Sequence, residues 1–208
     1  MTPGRFLTLE GGEGAGKSTQ LRRLAAVLAD RGLDVVVTRE PGGSEGAEAI
    51  RSLLMDGAAD RWSARAEALL FAAARADHIE RLIRPALDRG AWVLCDRYVD
   101  STRAYQGAQG IDDAAIMSLH RFGSQGLLPD RTLVLRIDVE EGARRAEARD
   151  AGALDRFAQR GRDFHESVAA AFARIAAGEP ERVRLIDASA TPQVVTDRLL
   201  AAISDLLP

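Results

Sequence analysis

Gly11-Gly12-Glu13-Gly14-Ala15-Gly16-Lys17-Ser18-Thr19 carries the strongest chemical signal in this 208-residue chain. Gly11 and Gly16 frame four residues ahead of Lys17 and Ser18, the G-x-x-x-x-G-K-[ST] spacing of a phosphate-binding loop. Glycines let the backbone curl so that successive N–H groups converge on phosphate oxygens. The helical pattern that begins near Lys17 adds the positive end of its dipole. Lys17 would reach the terminal phosphates of a nucleotide, and the Ser18 hydroxyl would ligate a magnesium ion. Composition singles out the same position: of 28 Lys and Arg residues, only Lys17 is lysine. A compact ammonium fits such a nest, whereas a planar guanidinium does not.

Other candidates stand at the ends of apolar runs. Asp96 closes Ala91-Trp92-Val93-Leu94-Cys95, the place from which an acid helps to hold magnesium beside a phosphate loop. Arg97 follows and would face the phosphates. Arg39 and Glu40 precede Pro41-Gly42-Gly43, just beyond the carboxyl end of a strand, where open α/β sheets bind ligands. Phe71 and Arg75 lie four apart in a helical pattern and so share a face, as a stacking ring and a base-edge donor would. An aromatic at such spacing is equally at home in a core. His78 reads as a structural surface or cap residue.

The elements that must position these groups alternate. Phe6 to Leu9, Asp34 to Thr38, Ala91 to Cys95, Arg131 to Ile137 and Val183 to Asp187 are short apolar strands; the second is apolar enough to read as fully buried. Helical patterns begin near Lys17 and stop at Gly32, then run over about 44–56, Ser63 to Asp88, Asp112 to Ser124, Glu140 to Arg149, Arg156 to Ala176 and Thr191 to Leu207. The alternation predicts one domain over 1–208, an α/β fold with a five-stranded parallel sheet in a three-layer α/β/α sandwich of the phosphate-loop NTPase kind. Arg144 to Arg156 is dense in charge and interrupted by Gly152. It reads either as a solvated helix end or as a flap, about 145–157, that brings arginines over a nucleotide.

With 46% hydrophobic residues and a net charge of −3, the chain can bury a core and is not expected to bind nucleic acid non-specifically. A single cysteine, Cys95, argues against a disulfide framework or a cysteine-rich zinc site. No signal-peptide pattern and no apolar run near membrane-spanning length is seen, so a soluble cytoplasmic protein without membrane contact is expected.

Glu10 to Ser18, Thr38 to Gly43, Asp96-Arg97-Tyr98 with Ser101 to Gly107, and Leu154-Asp155-Arg156 together resemble the thymidylate kinases, and the likeness runs nearly end to end. The resemblance implies magnesium-dependent transfer of the ATP γ-phosphoryl to the 5′-phosphate of dTMP. It implies that Phe71 stacks on thymine, Arg75 bonds its carbonyl edge, and Ser101 and Gln106 lie near the base. Tyr105 would crowd a ribose 2′-hydroxyl, and Glu13 would sit near the sugar 3′-hydroxyl. Arg39, Arg51 and Arg97 would surround the acceptor phosphate. Because Gly12 to Ala15 contain no arginine, the resemblance is to the bacterial type, whose catalytic arginine comes from the flap: Arg149, with Arg145 and Arg156 behind it. Glu147 and Ala158 depart from the flap pattern, where an arginine and an acid are common. The family likeness also implies a homodimer, through Ala- and Leu-rich helix faces such as Ala66 to Ala74. The rival reading is another nucleoside monophosphate or deoxynucleoside kinase, the latter needing an acidic base such as Glu13 or Glu40. A GTPase-like module is disfavoured because no Asn-Lys-x-Asp guanine reader occurs.

Overall fold

A computed structural model describes residues 4–58, 60–150, 157 and 160–208, with the backbone alone of 149 and 150. The apolar runs become strands β1 (Arg5–Gly11), β2 (Val35–Arg39), β3 (Trp92–Asp96), β4 (Arg131–Arg136) and β5 (Val183–Asp187). They form one sheet in the order β2-β3-β1-β4-β5, all neighbours parallel. Parallel neighbours require crossovers, and helices supply them on both faces. The register sets Leu9 of β1 beside Asp96 and Leu133, so the ends of β1 and β3 emerge side by side.

Alternation along β1 divides the core. Leu7 and Leu9 pack with Leu21, Leu24 and Leu28 of α1 (Lys17–Asp30) and with Val195 and Leu199 of α9 (Pro192–Ala202). Phe6 faces the other layer, with Ile79, Ile83, Val99 and Ile116. Each fully buried leucine contributes about 1.5–3 kcal/mol to that packing. The remaining helices are α2 (Glu45–Met55), α3 (Ala64–His78), α4 (Arg84–Asp88), α5 (Val99–Tyr105), α6 (Asp113–Ser124), α7 (Val139–Asp150) and α8 (Arg162–Gly178).

Several boundaries differ from the sequence reading. β2 is an edge strand rather than a buried one, and Val37 is 48% exposed. The Ser63–Asp88 pattern is interrupted by a wide π turn at Ile79–Ile83, immediately ahead of Pro85, which has no N–H for the carbonyl four residues back. α5 forms within what reads as a polar and aromatic connector, because it is buried between two parts of the core, Val99 packing with Phe6 and Ile79 and Ala104 with Phe172 and Val183. α8 begins at Arg162 instead of Arg156, and α9 ends at Ala202 instead of Leu207. Leu154-Asp155-Arg156 and Ala158 lie outside the described residues, as does most of the C-terminal half of the 145–157 flap.

Candidate active site

The loop after β1 is shaped by two glycines that nothing else can replace. Gly11 adopts φ 131°, and a Cβ there would lie 2.4 Å from the Leu135 carbonyl oxygen. Gly14, at φ 66°, would drive a Cβ to 1.9 Å from the carbonyl oxygen of Gly142 in α7. Lys17 opens α1 after Gly16 in the left-handed conformation. Its ammonium donates to the carbonyl oxygens of Gly11 and Gly12 at 3.1 and 2.8 Å. Burial lowers the Lys17 pKa, and the nearby Arg97 guanidinium adds to the effect.

One residue along α1, the Ser18 hydroxyl donates to Asp96 Oδ2 at 2.9 Å. No group of three or more His, Cys, Asp or Glu able to hold a metal occurs among the described residues. A cation here would therefore lean on one hydroxyl, one carboxylate and the ligand's own oxygens, which suits magnesium.

Arg97 sits at φ 70°, a left-handed conformation costly for a side chain of its size. Its guanidinium donates to the Gly11 carbonyl and to Ser101 Oγ, both at 3.1 Å, and to Glu13 at 2.5 Å. The Tyr105 hydroxyl lies 3.3 Å from the same Glu13 oxygen. The turn that carries Arg97 is held from below by Glu10. That carboxyl accepts the Tyr98 N–H at 2.7 Å and the Ser101 hydroxyl at 2.5 Å. Burial, reinforced by the Asp100 charge, pushes the Glu10 pKa up to about 8.

These groups open onto a cleft of about 460 Å³. Glu13, Gly14, Ala15, Gly16, Lys17, Ser18 and Thr19 line one end. Arg39, Arg51, Asp96 and Arg97 line it too, as do Phe71, Arg75, Ser101, Tyr105 and Gln106. Gly11 and Gly12 instead border a separate apolar cavity beneath α7 and α8. Arg39 is exposed and donates to Glu48 at 3.2 Å. Arg51 donates to the Pro41 carbonyl at 2.7 Å. Ser101, bonded to both Glu10 and Arg97, belongs to the Arg97 turn as much as to any base pocket. Of the flap arginines, Arg145 lines the cleft while its Nε donates to Glu141 at 2.7 Å. The Arg149 side chain and all of Arg156 lie outside the described residues.

Arg22 and Met55 also line the cleft and lie in none of the motifs, while Pro41, Tyr98 and Thr102 line it from within motifs that give them no role of their own. Glu40 is buried, with one oxygen 2.8 Å from Arg75 Nε and the other 3.2 Å from His78 Nδ1. Its carboxylate is thereby committed to holding Arg75, not free to act as a base. His78 is fully buried rather than on the surface, its Nε2 2.7 Å from Thr38 Oγ1. The Arg-Glu pair ahead of Pro41 hinted at Glu40, but nothing in the sequence joins it to a helix 35 residues on.

Residues 9–199 match the family model described as thymidylate kinase. The thymidylate kinase of Rhizorhabdus wittichii is 64% identical, over 99% of this chain and all of that protein. That of Caulobacter vibrioides is 56% identical over all of this chain and 97% of its own length. The crystal structure of thymidylate kinase from Ehrlichia chaffeensis superposes with a TM-score of 0.78 at 31% identity, covering 99% of this chain and 100% of that one. A phosphate loop facing an aromatic- and arginine-lined cleft, on a sheet that such relatives match from end to end, leaves one conclusion: the chain belongs to the thymidylate kinase family, the ATP-dependent kinases of dTMP.

Proposed function

We propose that the cleft carries out in-line transfer of the ATP γ-phosphoryl to the 5′-phosphate of dTMP, with the roles divided as follows. Gly11 to Thr19 cradle the donor phosphates, and Lys17 neutralises the charge that builds on the transferred group. Arg39, Arg51 and Arg97 hold the acceptor phosphate. Phe71 stacks on thymine, Arg75 and Gln106 meet its edge, Tyr105 closes the space of a 2′-hydroxyl, and Glu13 lies near the 3′-hydroxyl. Ser18 and Asp96 would hold magnesium, which supplies charge neutralisation on phosphate oxygens when bound. Arg149 closes from the flap, with Arg145 and Arg156 in reserve.

The observation that carries this reading is the convergence of Lys17, Ser18, Asp96, Arg39, Arg97, Phe71, Arg75 and Gln106 on one cleft. The chemistry fits. A phosphate monoester has its second pKa at about 6 and is already an ionised nucleophile at neutral pH. No general base is required; the arrangement needs cation density and alignment. We also infer a homodimer, supported by Leu69 of α3 and Phe122 of α6, 57% and 91% exposed on helices that pack together. A cytoplasmic setting is consistent with the finding that no helix among the described residues is long and apolar enough to cross a membrane.

A coupled ADP-release assay across deoxynucleoside monophosphates and thymidine tests the reading. Turnover of dTMP with none of thymidine is the expected result. Comparable turnover of thymidine would point to a hydroxyl acceptor and overturn it.

A further inference from the structure

Glu67, Phe71 and Arg75 recur every four residues along α3 and so lie in one stripe. Phe71 and Arg75 line the cleft, and Glu67, one turn earlier, is fully buried. Glu67 Oε2 receives two amides: Gln106 Nε2 at 3.2 Å and Gln109 Nε2 at 2.9 Å. Arg160 Nη2 lies 3.5 Å from the other carboxylate oxygen. A carboxylate oxygen accepts hydrogen bonds and an amide carbonyl cannot donate one, so Gln106 must turn its NH2 toward Glu67. Its carbonyl Oε1 is buried and has no hydrogen-bond partner among the described residues, while Gln106 lines the cleft.

Arg75 is fixed in the opposite sense. Its Nε donates to Glu40 at 2.8 Å and its Nη2 to Thr102 at 3.0 Å. Among the described residues Nη1 makes no hydrogen bond and remains a donor on a residue that lines the cleft. Gln106 and Arg75 thus bring to the lining of the cleft one amide oxygen and one guanidinium nitrogen without a hydrogen-bond partner among the described residues.

We propose that Glu67 is a specificity-determining positioning residue: by holding the Gln106 amide with its carbonyl toward the base, it selects pyrimidines that present an N3–H and rejects cytosine. The proposal rests on the reading that the base of dTMP lies against Phe71. Thymine offers an N3–H donor and an O4 acceptor, which complement Gln106 Oε1 and Arg75 Nη1. Cytosine offers a bare N3 and an amino group, so acceptor meets acceptor and donor meets donor. Buried polar groups left unpaired in this way discriminate far more strongly than a change of shape. Without Glu67 the amide could turn over and serve either base.

The test compares kcat/KM for dTMP, dUMP and dCMP in wild type, Glu67→Gln and Gln106→Met. Gln at 67 keeps the shape but can offer either end of its amide to Gln106. The preference for dTMP over dCMP should fall by at least about tenfold, while the ratio of dTMP to dUMP, whose bases share the same edge, stays as in wild type. Gln106→Met, which keeps the length without the acceptor, should lose the same preference, and adding Glu67→Gln to it should change the ratio no further. An equal loss on all three substrates in Glu67→Gln would mark a structural role and overturn the proposal. So would a Gln106→Met enzyme that keeps its preference, which also decides the matter if Glu67→Gln does not fold. A wild type that fails to turn over dTMP would instead overturn the reading of the reaction.

Discussion

Ser18 and Asp96, 78 residues apart in the chain, are joined by a 2.9 Å hydrogen bond from hydroxyl to carboxylate. The parallel register that sets the end of β1 beside the end of β3 brings them together. If the pair holds magnesium, Asp96→Asn removes the charge and keeps the shape. Turnover should fall on the order of a hundredfold, and the magnesium concentration giving half-maximal rate should rise. A magnesium titration with an unchanged midpoint would assign Asp96 to structure alone.

Lys17 donates to two loop carbonyls and is buried, so its nest has little room for a longer, planar group. Lys17→Arg should lower kcat by about a hundredfold or more although the charge is conserved. Steady-state rates at saturating ATP and dTMP check this. Retention of most activity would show that the lone lysine is incidental.

Phe71 is half-buried, with its ring centroid 5.9 Å from that of Phe157. It therefore has a packing neighbour as well as a face toward the cleft. Phe71→Ala should raise KM for dTMP by the roughly 1–3 kcal/mol of a lost base stack, with KM for ATP nearly unchanged. Equal weakening of both substrates would make it a core residue.

How legible these features are from sequence depends on how local they are. The loop, Lys17 and Asp96 are short-range signals, because backbone curl and strand ends are written in adjacent residues. That Phe71 and Arg75 share a face follows from helical spacing, and both line the cleft, but spacing alone leaves Phe71 equally at home in a core. The Glu40–Arg75–His78 cluster and the Glu67–Gln106 bond do not follow from spacing, since their partners lie 35 to 39 residues apart and meet only after the layers pack. The seven-residue α5 is too short to show a period, and β2 reads as buried because its composition does not reveal that it takes the sheet edge.

Glu10 gives a pH signature. Its pKa is pushed up to about 8 by burial and by Asp100, above the ordinary carboxylate value it would have in the unfolded chain. Below that ordinary value both states hold the proton, and its contribution to stability is fully present. As pH rises toward about 8 the unfolded chain ionises while the folded one resists, so the contribution is lost. Glu10→Gln mimics the protonated form, donating to Ser101 and accepting the Tyr98 N–H. Its Tm relative to wild type should therefore climb between about pH 5 and pH 8, by more than ~5 °C. A difference in Tm that does not change with pH would show that Glu10 ionises as an ordinary carboxylate.

In the proposed reaction an arginine from the flap completes the transition state. Loop positions Gly12 to Ala15 supply no arginine, and α7 leans on the loop through the Gly14–Gly142 contact. An arginine carried by α7 is thus tied to the loop proposed to hold the donor phosphates, without belonging to that loop. Arg145 reaches the cleft but is paired with Glu141 at 2.7 Å, which would have to release it. Arg149 lies one turn further along the helix. A group that meets the phosphates chiefly in the transition state lowers kcat more than it weakens binding when removed. Arg149→Ala should therefore cut kcat by on the order of a thousandfold, the scale of an arginine finger, with dTMP affinity changed only a few-fold. Arg145→Ala and Arg156→Ala should have smaller effects under the same saturating ATP and dTMP. Near-wild-type turnover in all three variants would remove the flap from the mechanism and leave Arg97, already held by Glu13 and the Gly11 carbonyl, to carry the transition-state charge with Lys17.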